Sequence, residues 1–253
     1  MNNQNKKEQI YTEWVERVYD YLVKTGLAID KCSSVMQSKP VLNKQPDVLF
    51  LEFCPTEDCN YVRVDKKRFF FGSPFFQTDR NEWRVWSKLY SAFENANYLA
   101  PLTDEHYMYM NAVYFGSDDI ARLKEEIKSK NNDLTYNDIV NQCLAFTKEL
   151  IHQIIQPKCI VCFSVKDCYE PLKNHFNFIR EERLVCQGDK IVSQGEKDFS
   201  QGEKKKNEKH YVFKAEWDTI PVFGITHPSA AISNADWEKI TLILKKEMKN
   251  LDI

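Results

Sequence analysis

The sequence has 253 residues, a net charge of −2, and 43% hydrophobic and 13% aromatic residues. That length makes one large α/β domain or at most two small ones. The near-neutral charge excludes a global basic field for nucleic acid, so any such contact has to come from a local patch. Glycine is scarce at seven residues, and none sits in a G-x-G-x-x-G or G-x-x-x-x-G-K-[ST] pattern, which excludes the dinucleotide and phosphate-loop enzymes built on them.

Residues 9–25 place Ile10, Trp14, Val18 and Leu22 on one face at helical spacing, with Gly26 as the stop. Pro46-Asp47 then opens the apolar run VLFLEFC, 48–54, ended by Pro55. Such a run suits a strand buried on both faces of a parallel sheet. Residues 60–71 carry Arg63, Lys66, Lys67 and Arg68 around Asp65, and FFFGSPFF comes next. An amphipathic helix is predicted over 80–93, and YMYMNAVYF, 107–115, is a second strand ended by Gly116. Helices are expected near 118–130 and 136–155, a third strand at CIVCFS, 159–164, and a helix near 165–176. PVFGITH, 221–227, is the fourth strand. Ser233 and Asp236 form a start signal for a last helix whose Ile240, Leu242, Ile243 and Met248 are expected to face inward.

Strands alternating with helices predict a three-layer α/β/α fold with a central, mostly parallel four-stranded sheet. Residues 1–253 are read as a single domain. One segment stands outside the pattern. Cys186-Gln-Gly-Asp-Lys, Ser193-Gln-Gly-Glu-Lys and Ser200-Gln-Gly-Glu-Lys repeat every seven residues. A coiled-coil seam needs two apolar residues per heptad and these positions are polar. A polar insertion loop over 186–210, exposed on the surface, is the expectation.

The eight cysteines are scattered through a chain too long for a disulfide-stapled mini-domain. The one C-x-x-C, Cys159 to Cys162, lies in a strand, where i and i+3 point to opposite faces, so it makes a poor metal pair. Buried, reduced thiols are expected, with no metal and no cofactor. The N-terminal MNNQNKKEQ lacks an apolar signal core, and no stretch approaches the ~20 apolar residues of a membrane span. The expectation is a cytoplasmic protein with no membrane partner; the sequence specifies no oligomeric state.

In open parallel sheets ligands bind beyond the carboxyl ends of the strands. The residues there are Cys54-Pro55-Thr56-Glu57-Asp58, Asn111 with Gly116-Ser117-Asp118-Asp119, Ser164 with Lys166, and His227-Pro228-Ser229. An imidazole, an amide, hydroxyls and carboxylates are thus expected on one rim.

The blocks VLFLEFCP, GSPFF, MNAVYF, KCIVCFS and GITHPSA, in that order, resemble the uracil-DNA glycosylase superfamily, most closely its bacterial branch with Gly-x-Pro-Phe. The resemblance covers about residues 46–245. It implies a DNA partner, single-stranded or damaged duplex, and hydrolysis of the N-glycosidic bond of uracil or a related base flipped from the stack. On that resemblance Phe75, or Phe76, is the platform under the base, in a pocket bordered by Cys54, Pro55 and Ser164. Asn111 reads the pyrimidine edge with its donor and acceptor. His227 donates to the carbonyl oxygen that gains charge as the bond breaks. Ser229 holds a phosphate, joined by Arg63, Lys66, Lys67 and Arg68.

The chain also departs from the family pattern. Glu52 stands where the first motif has glycine, and Phe53 and Cys54 stand where a water-activating Asp, Asn or Glu is usual. Glu57 or Asp58 is the substitute from the same loop, or Glu52 if the turn is rearranged. The third strand ends in Phe163-Ser164 where glycine is usual. Two other readings stay open. One is a member of the same fold that binds nucleic acid or a nucleotide-like ligand without turnover. The other is an unrelated hydrolase with Cys54 as nucleophile and His227 as base.

Overall fold

A computed structural model describes residues 3–25, 35–53, 70–71, 84–103, 105–114, 124–125, 127–129, 133–187, 190–194 and 211–253. The chain divides into two compact units. Met1–Pro46, Glu52–Phe76 and Met108–Gln156 form the first, and Asp47–Leu51, Gln77–Tyr107 and Pro157–Ile253 form the second.

Among the described residues, two long helices anchor the first unit. Helix α1 (Asn3–Lys24) buries Tyr11, Trp14, Val15, Val18 and Leu22, the face that its periodicity predicts. Trp14 is fully buried and its indole N–H donates to the Phe146 carbonyl at 3.0 Å. Rings of Tyr11, Phe70 and Tyr114 surround it, with centroids 5.7, 6.0 and 6.4 Å away. The helix meets its partner near Arg17, which pairs with Glu149. The stop expected at Gly26 lies outside the described residues. The second helix of this unit starts at Thr135, whose hydroxyl accepts from the Asp138 N–H while Asp138 reaches back to the Thr135 N–H. That reciprocal cap satisfies two amides that no helical carbonyl can reach. Between the two helical segments the chain runs through Arg84–Asn95 (α2) and the strands below, so the capped helix is α3 (Tyr136–Glu149). It passes into a wider turn, Leu150–Ile155, closed by the Gln156 N–H on the Ile151 carbonyl five residues back, with Gln156 at φ 51°.

The second unit carries most of the sheet. Strands β1 (Val48–Glu52), β3 (Cys159–Phe163) and β7 (Ile220–Ile225) run parallel, with Leu49 opposite Ile160 and Val161 opposite Phe223. Their burial is continuous rather than alternating in β3, as a strand covered on both faces requires. Strand β2 (Tyr107–Asn111) is also parallel: the Val48 N–H meets the His106 carbonyl, and the Ala112 N–H meets that of Glu52. Strands β4 (Ile179–Gln187), β5 (Lys190–Gln194) and β6 (Tyr211–Trp217) add antiparallel pairs. The order through the sheet is β2-β1-β3-β7-β6-β4-β5.

The α/β class therefore holds, but the sheet has seven strands and not the four expected. The four apolar runs are its parallel part. The added strands come from a stretch whose charges hide it. Arg180, Glu182 and Lys214 find partners in Glu216, Ser193 and Glu247 on neighbouring elements. The segment expected as an insertion loop over 186–210 begins instead as sheet. Gln187 pairs with Lys190, and Cys186 with Ile191, so the first repeat unit sits at a hairpin. Residues 188–189 and 195–210 lie outside the described residues.

Helices flank this sheet. A wide turn, Val165–Tyr169, leads into α4 (Glu170–Phe176) and sets Tyr169 on the face that bears Phe213 and Gly224. Glu247 of α5 (Asn234–Lys249) meets Lys214, which points to the other face. Ser233 caps α5 by accepting the Asp236 N–H at 3.1 Å, as its spacing predicts. Ile240, Ile243, Leu244 and Met248 are buried, whereas Leu242 is 48% exposed. At 3.6 residues per turn Leu242 falls about 200° from Ile240, so the inward placement expected for it is corrected.

Asp47 pins the entrances of three strands. Its carboxylate bonds His106, before β2, and Lys158, before β3, the latter at 2.7 Å. Burial acts to raise its pKa, but the Lys158 and His106 hydrogen bonds outweigh this and hold the carboxyl below its ordinary 3.8. A depressed carboxyl contributes stability above its unfolded pKa and loses it as pH falls through the folded value. Asp47→Asn is expected to cost about 1 kcal/mol at pH 7, with half-exposed His106 limiting the loss. The melting-temperature gap to wild type should close below about pH 4. A gap that persists unchanged at pH 2.5 would refute this role.

Among the described residues, Cys143, Cys159, Cys162 and Cys168 are buried thiols and Cys186 is half-buried. Burial pushes the Cys159 thiol far up, with Asp47 adding to the shift. No described helix is long and apolar enough to cross a membrane.

Candidate functional site

The second unit gathers His227, Ser229, Phe163 and Ser164 at the carboxyl ends of β3 and β7. Gly224 and Ile225 end β7, and Thr226 leads to His227. The Ala230 N–H then donates to the His227 carbonyl at 2.9 Å, closing a four-residue turn. Pro228 occupies its second position, where a fixed φ near −65° favours the turn.

Inside this turn the imidazole is held in one orientation. His227 Nδ1 accepts the Ser229 backbone N–H at 3.1 Å. A backbone N–H can only donate, so Nδ1 is the acceptor and the proton of the neutral ring is on Nε2. The Ser229 hydroxyl lies 2.6 Å from the same Nδ1. The edge of the ring meets Phe163, with centroids 6.2 Å apart and planes at 85°. Phe163 is itself buried against Phe50, 5.4 Å away. An Nε2–H donor is therefore aimed by two contacts of Ser229 and one aromatic wall.

Ser164 stands one residue past β3 at φ 75° and ψ 115°. A side chain rarely adopts such a backbone, which costs roughly 1–3 kcal/mol and collects at functional sites. Its hydroxyl accepts the Asp167 N–H at 3.1 Å and lies 2.7 Å from the Asp167 carboxylate. That oxygen is thus engaged in capping the following turn.

The first unit holds Asn111. It is the last residue of β2, fully buried, and its backbone N–H donates to the Val35 carbonyl at 2.9 Å. The residues after it are fixed by main-chain bonds at 2.7 Å, from Ala112 to Glu52 and from Val113 to Phe53. Thr147 adds a buried link, donating to the Ala112 carbonyl at 2.8 Å.

Of the residues expected at the rim, the structure brings His227, Ser229 and Ser164 together in one unit and sets Asn111 at a strand end in the other. Cys54, Pro55, Glu57, Asp58, Arg63, Lys66, Lys67, Arg68, Phe75 and Phe76 lie outside the described residues. Phe163, named from the sequence as a departure at the end of the third strand, forms the aromatic wall beside His227. One contributor carried no sequence signal: Lys88 looks like any polar position of an amphipathic helix. Its ammonium nevertheless reaches the Ala230 carbonyl at 3.3 Å.

No family model matches the chain, and no curated protein matches it significantly.

Proposed function

We propose that the protein is a uracil-DNA glycosylase-like hydrolase, acting on uracil or a related damaged base flipped out of DNA. The observation that carries this reading is the tautomer of His227. A ring with its proton on Nε2, aimed from the carboxyl end of a parallel strand, is a hydrogen-bond donor prepared for an oxygen that becomes negative. Ser164 supports it further. The resemblance puts glycine at that position, and Ser164 has the positive φ that favours glycine.

In this mechanism the bond from the sugar C1′ to the base nitrogen breaks and its electron pair leaves with the base. The base carbonyl oxygen gains negative charge and the His227 Nε2–H stabilises it. Asn111 reads the base edge and Phe75 or Phe76 stacks beneath it. Water adds at C1′, and its proton passes to Glu57 or Asp58.

Abasic-site formation on a uracil-containing oligonucleotide tests the proposal. His227→Ala is expected to lower the single-turnover rate about a hundredfold, the loss typical of one oxyanion donor. Equal rates for wild type and the His227→Ala, Asn111→Ala double variant would refute it. Salt-sensitive binding without abasic sites would instead identify a binding protein of the same fold.

A further inference from the structure

The Ser229 backbone N–H donates to His227 Nδ1 and its hydroxyl lies 2.6 Å from the same atom. Neither group carries a charge, so the turn by itself offers a phosphate no cation. Among the described residues Lys88, on α2, reaches it. We propose that Lys88 is the phosphate-binding residue of the His227 turn, holding a phosphodiester beside the flipped nucleotide. This assignment rests on the glycosylase-like reading and adds what that reading lacks, a positive charge at the described site.

The placement of Lys88 suits the task. Its neighbours Val85, Leu89 and Ala92 on α2 are buried, while Lys88 is half-buried. An aliphatic stem can lie on such a surface with its ammonium at the edge. The bond to the Ala230 carbonyl is long, at 3.3 Å. That carbonyl is also satisfied by the Ile232 N–H at 2.9 Å, so it does not depend on the lysine. The bond occupies one of three ammonium donors, and among the described residues no carboxylate forms an ion pair with Lys88. Ala230 directly follows Ser229, so the charge stands at the exit of the turn that orients the imidazole. A phosphate oxygen is a stronger acceptor than a carbonyl shared with an amide. The ammonium can turn to it without leaving a buried group unsatisfied.

The consequence is a requirement for charge on the nucleic-acid backbone. A labelled single-stranded uracil oligonucleotide is titrated with wild type, Lys88→Met and Lys88→Arg over a range of salt concentrations. Lys88→Met is expected to bind about tenfold more weakly, with a log–log salt slope smaller by about 0.7, the value for one single-strand phosphate contact. Lys88→Arg should keep the wild-type slope. In parallel, each phosphodiester flanking the uracil is replaced singly by a neutral methylphosphonate. One position should cost wild type about tenfold and cost Lys88→Met nothing. The wild-type scan needs no variant, so a misfolded Lys88→Met leaves the test intact. No position-dependent cost in wild type, or an unchanged slope in Lys88→Met, overturns the assignment and leaves the glycosylase reading standing. If wild type binds no oligonucleotide at all, the glycosylase reading itself fails.

Discussion

Gly224→Ala is expected to destabilise the protein by about 3 kcal/mol or more, the upper end of overpacking penalties. A Cβ at this position would lie 2.5, 2.7 and 2.9 Å from Cγ, Cδ2 and Cβ of Tyr169. These atoms are the root of the side chain, not a flexible tip: turning the ring about χ2 leaves Cβ and Cγ in place, and a change of χ1 would take the ring out of its packed site. Tyr169 also has nowhere to go. It is fully buried, stacks on Phe213 at 5.6 Å, packs on Phe178 at 5.5 Å, and donates its hydroxyl to Glu181 at 2.9 Å. Glu181 is held in turn by Lys173 at 2.7 Å. Relief would require either β7 or the turn that carries Tyr169 to shift. Because β7 leads directly to His227, the variant should also lose the aim of the imidazole. Thermal unfolding should show a loss of roughly 6–10 °C. Tyr169→Phe should not rescue it, since the clash is with the ring root, whereas Tyr169→Ala should cost less in the Gly224→Ala background than alone. A Gly224→Ala protein within about 0.5 kcal/mol of wild type would refute the clash.

The second large effect is expected at Thr147, where Thr147→Val should cost about 3 kcal/mol by orphaning two buried polar groups. Thr147 has one hydroxyl proton, and it goes to the Ala112 carbonyl. The Tyr114 hydroxyl, 2.8 Å from the same oxygen, must then be the donor of that pair. Both side chains are fully buried, so no water replaces the lost oxygen. Burial already drives the Tyr114 pKa well above 10, so the phenol stays protonated as a donor that needs an acceptor. Tyr114→Phe removes only the donor and should cost about 1 kcal/mol. In the double variant the phenol orphan disappears, so the cost should be less than the sum of the two singles. Strict additivity in chemical denaturation would refute the chain of bonds. The same link holds the residue after Asn111, so on the proposed glycosylase reading Thr147→Val should also weaken base recognition.

The four parallel strands were legible because each is a short, nearly continuous apolar run, a pattern that burial on both faces imposes. β4 was not, because the continuous apolar pattern that marks those strands is broken in it by the run Arg180-Glu181-Glu182-Arg183. Their partners lie on strands or helices distant in sequence, and spacing along one segment carries no record of them. Leu242 erred the other way, an apolar residue on an amphipathic helix that the helical period turns outward. At the site, His-Pro-Ser marked His227 and Ser229 as residues of interest. Its spelling could not say that the Ser229 backbone N–H fixes the tautomer of the imidazole, nor that a lysine some 140 positions away reaches the turn.

Features set by near neighbours in the chain were already written in the sequence: the face of α1, the Ser233–Asp236 cap, the four apolar strands and the scarcity of glycine. These depend on interactions within a few residues, where spacing equals geometry. The tertiary structure alone decided the strand order, the pairing of β4 with β6 and the reason Gly224 must lack a side chain. Each depends on contacts between segments far apart in the sequence. Tyr169 stands 55 positions before Gly224, and only the folded sheet presses one against the other.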